Sequence, residues 1–185
     1  EIEAMRSGRI QVAGFSTGPT PFAVNLAGAV PFAIMGSDDG EFGYTLQVYT
    51  RKDSGIDELS DLKGKRVSVD EPGSGTYVDA NLILAAYGLK KSDVTAEHLK
   101  GGAAAEALRN GKIDAFFVVA GYPTGTLVEL ASAAKMKLVP LSGPSAKSLV
   151  DKYGFFASSD IPAGTYEGVA ATSTLSVGAQ WFTSA

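Results

Sequence analysis

The sequence predicts an α/β protein in two lobes, with mostly parallel strands flanked by helices. Three observations lead there. Across residues 53–142 short strand-like runs alternate with helix-like runs of about ten residues, the pattern of parallel strands joined by crossover helices. The flanking segments, 1–51 and 143–185, are left to form a second lobe into which 52–142 is inserted. With 185 residues, 45% hydrophobic and 19% charged, the chain can bury a core as one domain or as two small ones.

In chain order, residues 1–7 read as a helix end stopped by Gly8, and 9–15 as a short buried strand. The run 16–21 is a turn-rich loop leading into a short helix at 22–26, and 30–35 reads as a second buried strand followed by a polar turn at 37–43. Residues 44–50 alternate Tyr44, Leu46 and Val48 against Thr45, Gln47 and Tyr49, as a half-buried strand would. Then follow a short helix at 57–62, a strand at 66–70, a glycine loop at 72–75 and a helix over 76–87 capped by Gly88. Strands at 94–99, 113–119 and 137–141 alternate with helices at 103–110, stopped by Gly111, and 122–134. Residues 145–153 complete the helices, 160–168 form a turn-rich segment, and 172–183 have strand composition.

Several function classes are excluded by composition. Sixteen Lys and Arg against twenty Asp and Glu leave a net charge of -4, with no positive excess to meet a phosphate backbone, so nucleic acid is not an expected partner. The absence of cysteine rules out disulfides, zinc-thiolate sites and thiol nucleophiles. One histidine, His98, argues against a multi-histidine metal site, and no motif calls for a cofactor. Residues 10–37 run twenty-eight positions without a charge, but Pro19, Pro21 and Pro31 would break a membrane-spanning helix. The first residues lack the basic segment, apolar core and cleavage site of an export signal.

The clearest chemical feature is the run from Val67 to Thr76, a strand entering a Gly73-Ser74-Gly75-Thr76 loop that opens a helix. Backbone N–H groups and hydroxyls at the positive end of a helix suit a carboxylate or a phosphate. The same residues also suit an ordinary strand-to-helix turn with Ser74 or Thr76 as cap. No Gly-Lys-Ser/Thr follows, Val78 stands where a dinucleotide fingerprint needs its third glycine, and Pro72 stands where a nucleophile elbow needs its first. Ser16 and Thr17 follow the first strand in the same manner, and Tyr122 and Thr124 follow the strand at 113–119, at the sheet edge where α/β proteins bind ligands. Both loops also read as plain turns, with Pro123 starting the next helix. His98, between Glu97 and Lys100, reads as a rim residue, and no Ser/His/Asp order or distinctive carboxylate pair argues for hydrolysis.

Lys52-Asp53-Ser54-Gly55-Ile56, Asp61-Leu62-Lys63-Gly64-Lys65-Arg66-Val67, Gly73-Ser74-Gly75-Thr76, Gly111-Lys112-Ile113-Asp114-Ala115-Phe116-Phe117, Gly121-Tyr122-Pro123-Thr124 and Ile161-Pro162-Ala163-Gly164-Thr165-Tyr166 together resemble the TAXI family, solute-binding subunits of TRAP transporters. The earlier part, from Met5-Arg6-Ser7-Gly8-Arg9 through Gly14-Phe15-Ser16-Thr17-Gly18-Pro19 to Phe42-Gly43-Tyr44, resembles the phosphate, phosphite and phosphonate-binding proteins of ABC importers. Both resemblances imply the two-lobe periplasmic-binding-protein fold of type II, with an outer lobe that lacks elements both families place before Glu1 and after Ala185. They imply a periplasmic or extracytoplasmic binding protein, not an enzyme, that holds a small anionic solute between its lobes and delivers it to a TRAP or ABC permease. The leading expectation is a carboxylate or amino acid, with phosphonate or phosphate as the alternative, and an enzyme or an effector-sensing domain further off. Carried over by position, Ser74, Gly75 and Thr76 hold the anionic group, Ser16 and Thr17 oppose them from the other lobe, and Tyr122 and Thr124 form a flanking wall. Several neutral donors bind an anion without burying a permanent counter-charge. Self-association through the shortened lobe, or poor order there, is expected from apolar surface around 10–15 and 30–35.

Overall fold

Helix α3 (Gly75–Ala86) and helix α4 (Gly101–Arg109) end in the same way. After α3, Gly88 at φ 78° donates to the Ala85 carbonyl and Leu89 to that of Leu84; after α4, Gly111 at φ 67° donates to Leu108 and Lys112 to Ala107. These paired bonds satisfy carbonyls that the helix leaves open, and the left-handed backbone they need costs glycine nothing. Leu89 is buried in the same apolar cluster as Leu84, which anchors the turn.

The computed structural model describes residues 1–16, 19–34, 44–133 and 135–184, with the side chain of Ser16 outside the description. The remaining helices are α1 (Ile2–Arg6), α2 (Thr20–Ala27), α5 (Gly125–Ala133) and α6 (Gly143–Lys152). The strands are β1 (Val12–Ser16), β2 (Val30–Ile34), β3 (Tyr44–Arg51), β4 (Arg66–Ser68), β5 (Thr95–Glu97), β6 (Ala115–Ala120), β7 (Met136–Leu138), β8 (Phe156–Ile161), β9 (Thr172–Val177) and β10 (Ala179–Thr183). The expected helix at 57–62 is a single 3-10 turn, Leu59–Leu62. The polar turn expected at 37–43 lies outside the described residues.

The strands form a seven-stranded sheet ordered β5-β4-β6-β3-β9-β8, with β7 also paired to β3, and a three-stranded sheet β1-β10-β2. In the larger sheet β4 lies parallel between β5 and β6. Strand β3 is antiparallel to β6 on one side and to β7 and β9 on the other, so β7 and β9 point the same way as the parallel block. The predicted α/β fold class is the observed one, with five of the seven strands of the larger sheet sharing one direction, while the three-stranded sheet is antiparallel.

Three local expectations change. Strand β3 is buried on both faces. Leu46 and Val48 join the core under α3 and α6, while Tyr49 joins the core under α4 and α5, stacked on Phe116 with ring centroids 5.2 Å apart. Its polar residues are tolerated there because they bond to one another, which alternation alone does not reveal. Residues 156–161, covered only in part by the expected turn, form a strand antiparallel to β9. The strand-like run 172–183 is two strands in two different sheets, separated at Gly178.

The expected division at 51/52 and 142/143 does not follow the sheets, since 44–51 and 156–177 hydrogen-bond into the larger one. A central strand needs partners along both edges, and β3 finds them from distant parts of the chain.

The small sheet carries its own core of Met5, Ala13, Phe15, Ala23, Ala29 and Phe182, with Phe15 and Phe182 edge to face at 5.5 Å. Strand β2, expected to be buried, is exposed throughout. It lies at the edge of its sheet, with Phe32 59% exposed and Trp181 on the neighbouring strand 40% exposed. Among the described residues no helix is long and apolar enough to cross a membrane.

Candidate functional site

The carboxyl ends of β4 and β5 lie level, Ser68 paired with Glu97, and β6 runs parallel beyond them, from Phe116 beside Ser68 to its own carboxyl end at Ala120. The loops after them carry Gly73-Ser74-Gly75-Thr76, His98 and Gly121-Tyr122-Pro123-Thr124. Strand β3 starts at this edge, with Thr45 opposite Ala120, and β9 ends there, with Val177 opposite Tyr44. After the single residue Gly178, β10 begins, and its Ala179 pairs with Ser16 at the end of β1. The topology therefore brings the backbone of Ser16 to the edge that holds the other loops, where the chain passes between the sheets. Thr17 lies outside the described residues.

At the start of α3, Ser74 has extended backbone and its Oγ accepts from the Tyr77 N–H at 3.0 Å. Thr76 is buried, and its Oγ1 accepts from the Val119 N–H at 3.3 Å. Both hydroxyls spend acceptor capacity on the protein and keep a proton to donate. The N–H groups of Gly75 and Thr76 open the helix and have no acceptor within it. Two hydroxyls and two amides at the positive end of a helix form a set of neutral donors suited to an anion. The bond from Val119 ties this first turn to the end of β6, two residues before the Gly121 loop.

In that loop the Tyr122–Pro123 peptide is cis. The Thr124 hydroxyl donates to the Gly121 carbonyl at 2.6 Å, and the Thr124 N–H donates to the Tyr166 hydroxyl at 3.3 Å. The Tyr122 hydroxyl donates to the Asp160 carbonyl at 3.2 Å. Thr124 and Tyr122, expected as a wall of the site, follow the end of β6, with Tyr122 packed against the core under α4 and α5, and these donors are used within the protein.

His98 sits at the rim, as expected: its Nδ1 is 2.9 Å from the Asp70 carbonyl and its ring lies 5.8 Å from that of Tyr77. Beside it, Lys100 pairs with Glu71 at 3.2 Å. A cleft of about 390 Å³ among Ser142, Lys147, Ser158 and Thr174 lies elsewhere on the larger sheet and is not lined by 74–76 or 121–124. Among the described residues no cluster of three or more acidic or histidine side chains could hold a metal ion.

Two features escaped sequence reasoning. Asp79, on the buried face of α3 one turn past Thr76, is 0% exposed and neither carboxyl oxygen has a hydrogen-bond partner among the described residues; burial pushes the group up to about 7. Its spacing from Thr76, Ala80 and Ile83 was the available signal. The second is the buried group Thr45, Gln47, Tyr49 and Tyr166 beneath the Gly121 loop, visible beforehand only as polar residues within an apolar strand and as the last residue of the Ile161-to-Tyr166 motif.

Solved structures share this fold. They include the periplasmic aliphatic sulphonate binding protein SsuA from Escherichia coli, at 17% identity and TM-score 0.58, with 99% of this chain and 50% of that chain covered. A binding protein component of an ABC phosphonate transporter from Pseudomonas aeruginosa matches at 21% identity and TM-score 0.58, covering 83% of this chain and 59% of that one. The alkanesulfonate-binding protein SsuA from Xanthomonas axonopodis pv. citri bound to MOPS matches at 24% identity and TM-score 0.51, over 75% and 45% of the two chains. The chain spans about half the length of these proteins, with 50% of the first covered. The fold is that of type II periplasmic binding proteins, and these matches do not carry the finer TAXI assignment expected from the motifs after residue 52. The model of one family matches residues 43–185, more than half of the sequence, and on that ground the chain belongs to the NMT1-like family.

Proposed function

We propose that the chain is part of a solute-binding protein that captures a small anionic solute and delivers it to the membrane permease of an ABC transporter. The observation that carries this reading is the start of α3, where the hydroxyls of Ser74 and Thr76 and the first amides of the helix present donors at the carboxyl edge of the sheet. The fold likeness to proteins described as binding sulphonates and phosphonates supports it. In this reading Ser16 and Thr17 contribute an opposing wall, and the protein works in the periplasm, as the sulphonate binding protein from Escherichia coli does. It binds and releases without chemical change: neutral donors stabilise an anion while leaving no buried counter-charge to hold it.

The motifs between 52 and 185 favour a second reading, a carboxylate or amino acid handed to a TRAP permease. One experiment separates the two. Amide shifts of the isotope-labelled chain are followed while methanesulfonate, methylphosphonate and acetate are added in turn. Saturable shifts at 74–76 with the first two support the ABC reading, and shifts with acetate alone support the second. No shift there with any of the three refutes an anion site at α3.

A further inference from the structure

The last residue of the Ile161-to-Tyr166 motif reaches the 121–124 loop through a buried polar chain. Tyr166 is 1% exposed, and its hydroxyl donates to Gln47 Oε1 at 3.0 Å while accepting the Thr124 N–H. The Tyr49 hydroxyl donates to the same oxygen. Burial pushes the Tyr49 hydroxyl well above the usual range, so it remains a donor at any physiological pH. On its other side, Gln47 Nε2 donates to Thr45 Oγ1 at 3.0 Å and to the Ala120 carbonyl at 3.3 Å, and Thr45 Oγ1 donates to the same carbonyl at 3.0 Å. Gln47 thereby uses both amide protons and accepts twice, which leaves its side chain a single orientation. The chain of bonds begins and ends on the loop: Ala120 precedes Gly121, and Thr124 closes it.

The turn that presents Tyr166 is itself held. Thr165 Oγ1 donates to the Pro162 carbonyl at 2.8 Å and the Val169 N–H to the Tyr166 carbonyl at 3.1 Å. Buried Ile161 anchors the start of the motif in the same core as Tyr166.

We propose that Tyr166 is a positioning residue for the solute site, its hydroxyl, oriented by the Gln47 amide, fixing the 121–124 loop as the wall beside Ser74 and Thr76. The assignment rests on the reading that this loop lines the anion site. It also gives Thr124 a different part: its N–H and hydroxyl hold the loop's shape, and the surface turned to the solute comes from the rest of the loop.

Tyr49→Phe supplies the control. It and Tyr166→Phe each remove one hydroxyl from the same Gln47 oxygen and keep the aromatic ring, but only Tyr166 touches the loop. The full chain and both variants are measured by amide hydrogen exchange and by titration with methanesulfonate, methylphosphonate and acetate. Tyr166→Phe is expected to speed exchange at the Thr124 amide about tenfold and to weaken the anion that binds about two- to tenfold, the range for one neutral hydrogen bond. Tyr49→Phe should change unfolding similarly and leave both readouts at their original values. Unchanged Thr124 exchange in Tyr166→Phe, faster exchange with unaltered anion affinity, or equal loss of affinity in both variants overturns the positioning role. If the parent chain binds none of the three anions, the solute-binding reading fails separately, and Thr124 exchange alone decides whether Tyr166 fixes the loop.

Discussion

Replacing Asp79 by Asn should stabilise the protein increasingly as the pH rises. The carboxyl is wholly buried, neither oxygen has a partner among the described residues, and burial lifts the group from its ordinary 3.8 to about 7. A buried acid pays for ionisation in lost hydration, so the native state keeps the proton that the unfolded chain gives up. Between about pH 4 and pH 7 the unfolded state therefore binds fewer protons, and stability falls as the pH rises. Each unit contributes about 1.4 kcal/mol, and about three units separate the two states, so the loss reaches roughly 4 kcal/mol near pH 7 and stays constant above it. Asparagine has no such titration, although its amide is also buried without a designed partner, which adds a cost that does not vary with pH. The informative quantity is thus the difference between variant and parent as a function of pH. Urea unfolding at intervals from pH 4 to pH 8 measures it, and linkages from all other groups cancel. The stability difference, variant minus parent, should be about 4 kcal/mol more favourable to the variant at pH 8 than at pH 4, equivalent to roughly 8–16 °C in Tm. A flat difference across this range would refute the reasoning, because it would mean that the native carboxylate is ionised and has a partner.

Thr76→Ala should weaken the bound anion by roughly 1 to 3 kcal/mol in calorimetry with whichever probe binds, the range for a hydrogen bond to a charged group; an unchanged affinity removes that hydroxyl from the site. Ser74→Ala removes the N-cap acceptor for Tyr77 and should cost about 1 kcal/mol in urea unfolding, a loss that Ser74→Asp restores. Asp114 accepts from Arg66 Nε and Nη2 at 3.1 and 2.8 Å and from the Arg66 N–H at 2.9 Å, and the hydrogen bonds from the Arg66 side chain foremost hold its carboxyl below the usual range. Its contribution is present above the ordinary carboxylate value and lost as the pH falls through the lowered one, so Asp114→Asn should destabilise at pH 7 with a penalty that fades in acid. Leu108→Ala, in the core under α4, should cost about 2–5 kcal/mol in urea unfolding.

Local sequence determined the elements whose signals are local. The helix from Gly75 to Ala86 has a hydroxyl cap and a glycine stop, and each works through atoms within a few residues. The glycine-hydroxyl loop before it could be read as a donor set for the same reason, since the first amides of any helix lack acceptors within it. Strand-helix alternation likewise predicted the parallel block β5-β4-β6, because a crossover connection permits little else.

What the chain does over long separations was decided only in three dimensions. Alternation along β3 reads as half-buried, yet Gln47 and Tyr49 are buried because Tyr166, 119 residues from Gln47, completes their hydrogen bonds. The run 172–183 has one composition but serves two sheets, since strand propensity states that a segment will pair and says nothing of its partner. Asp79 sits on the helix face that its spacing assigns to the core, but whether a buried carboxyl finds a partner depends on every element packed against it. Tertiary structure alone left this one with none among the described residues.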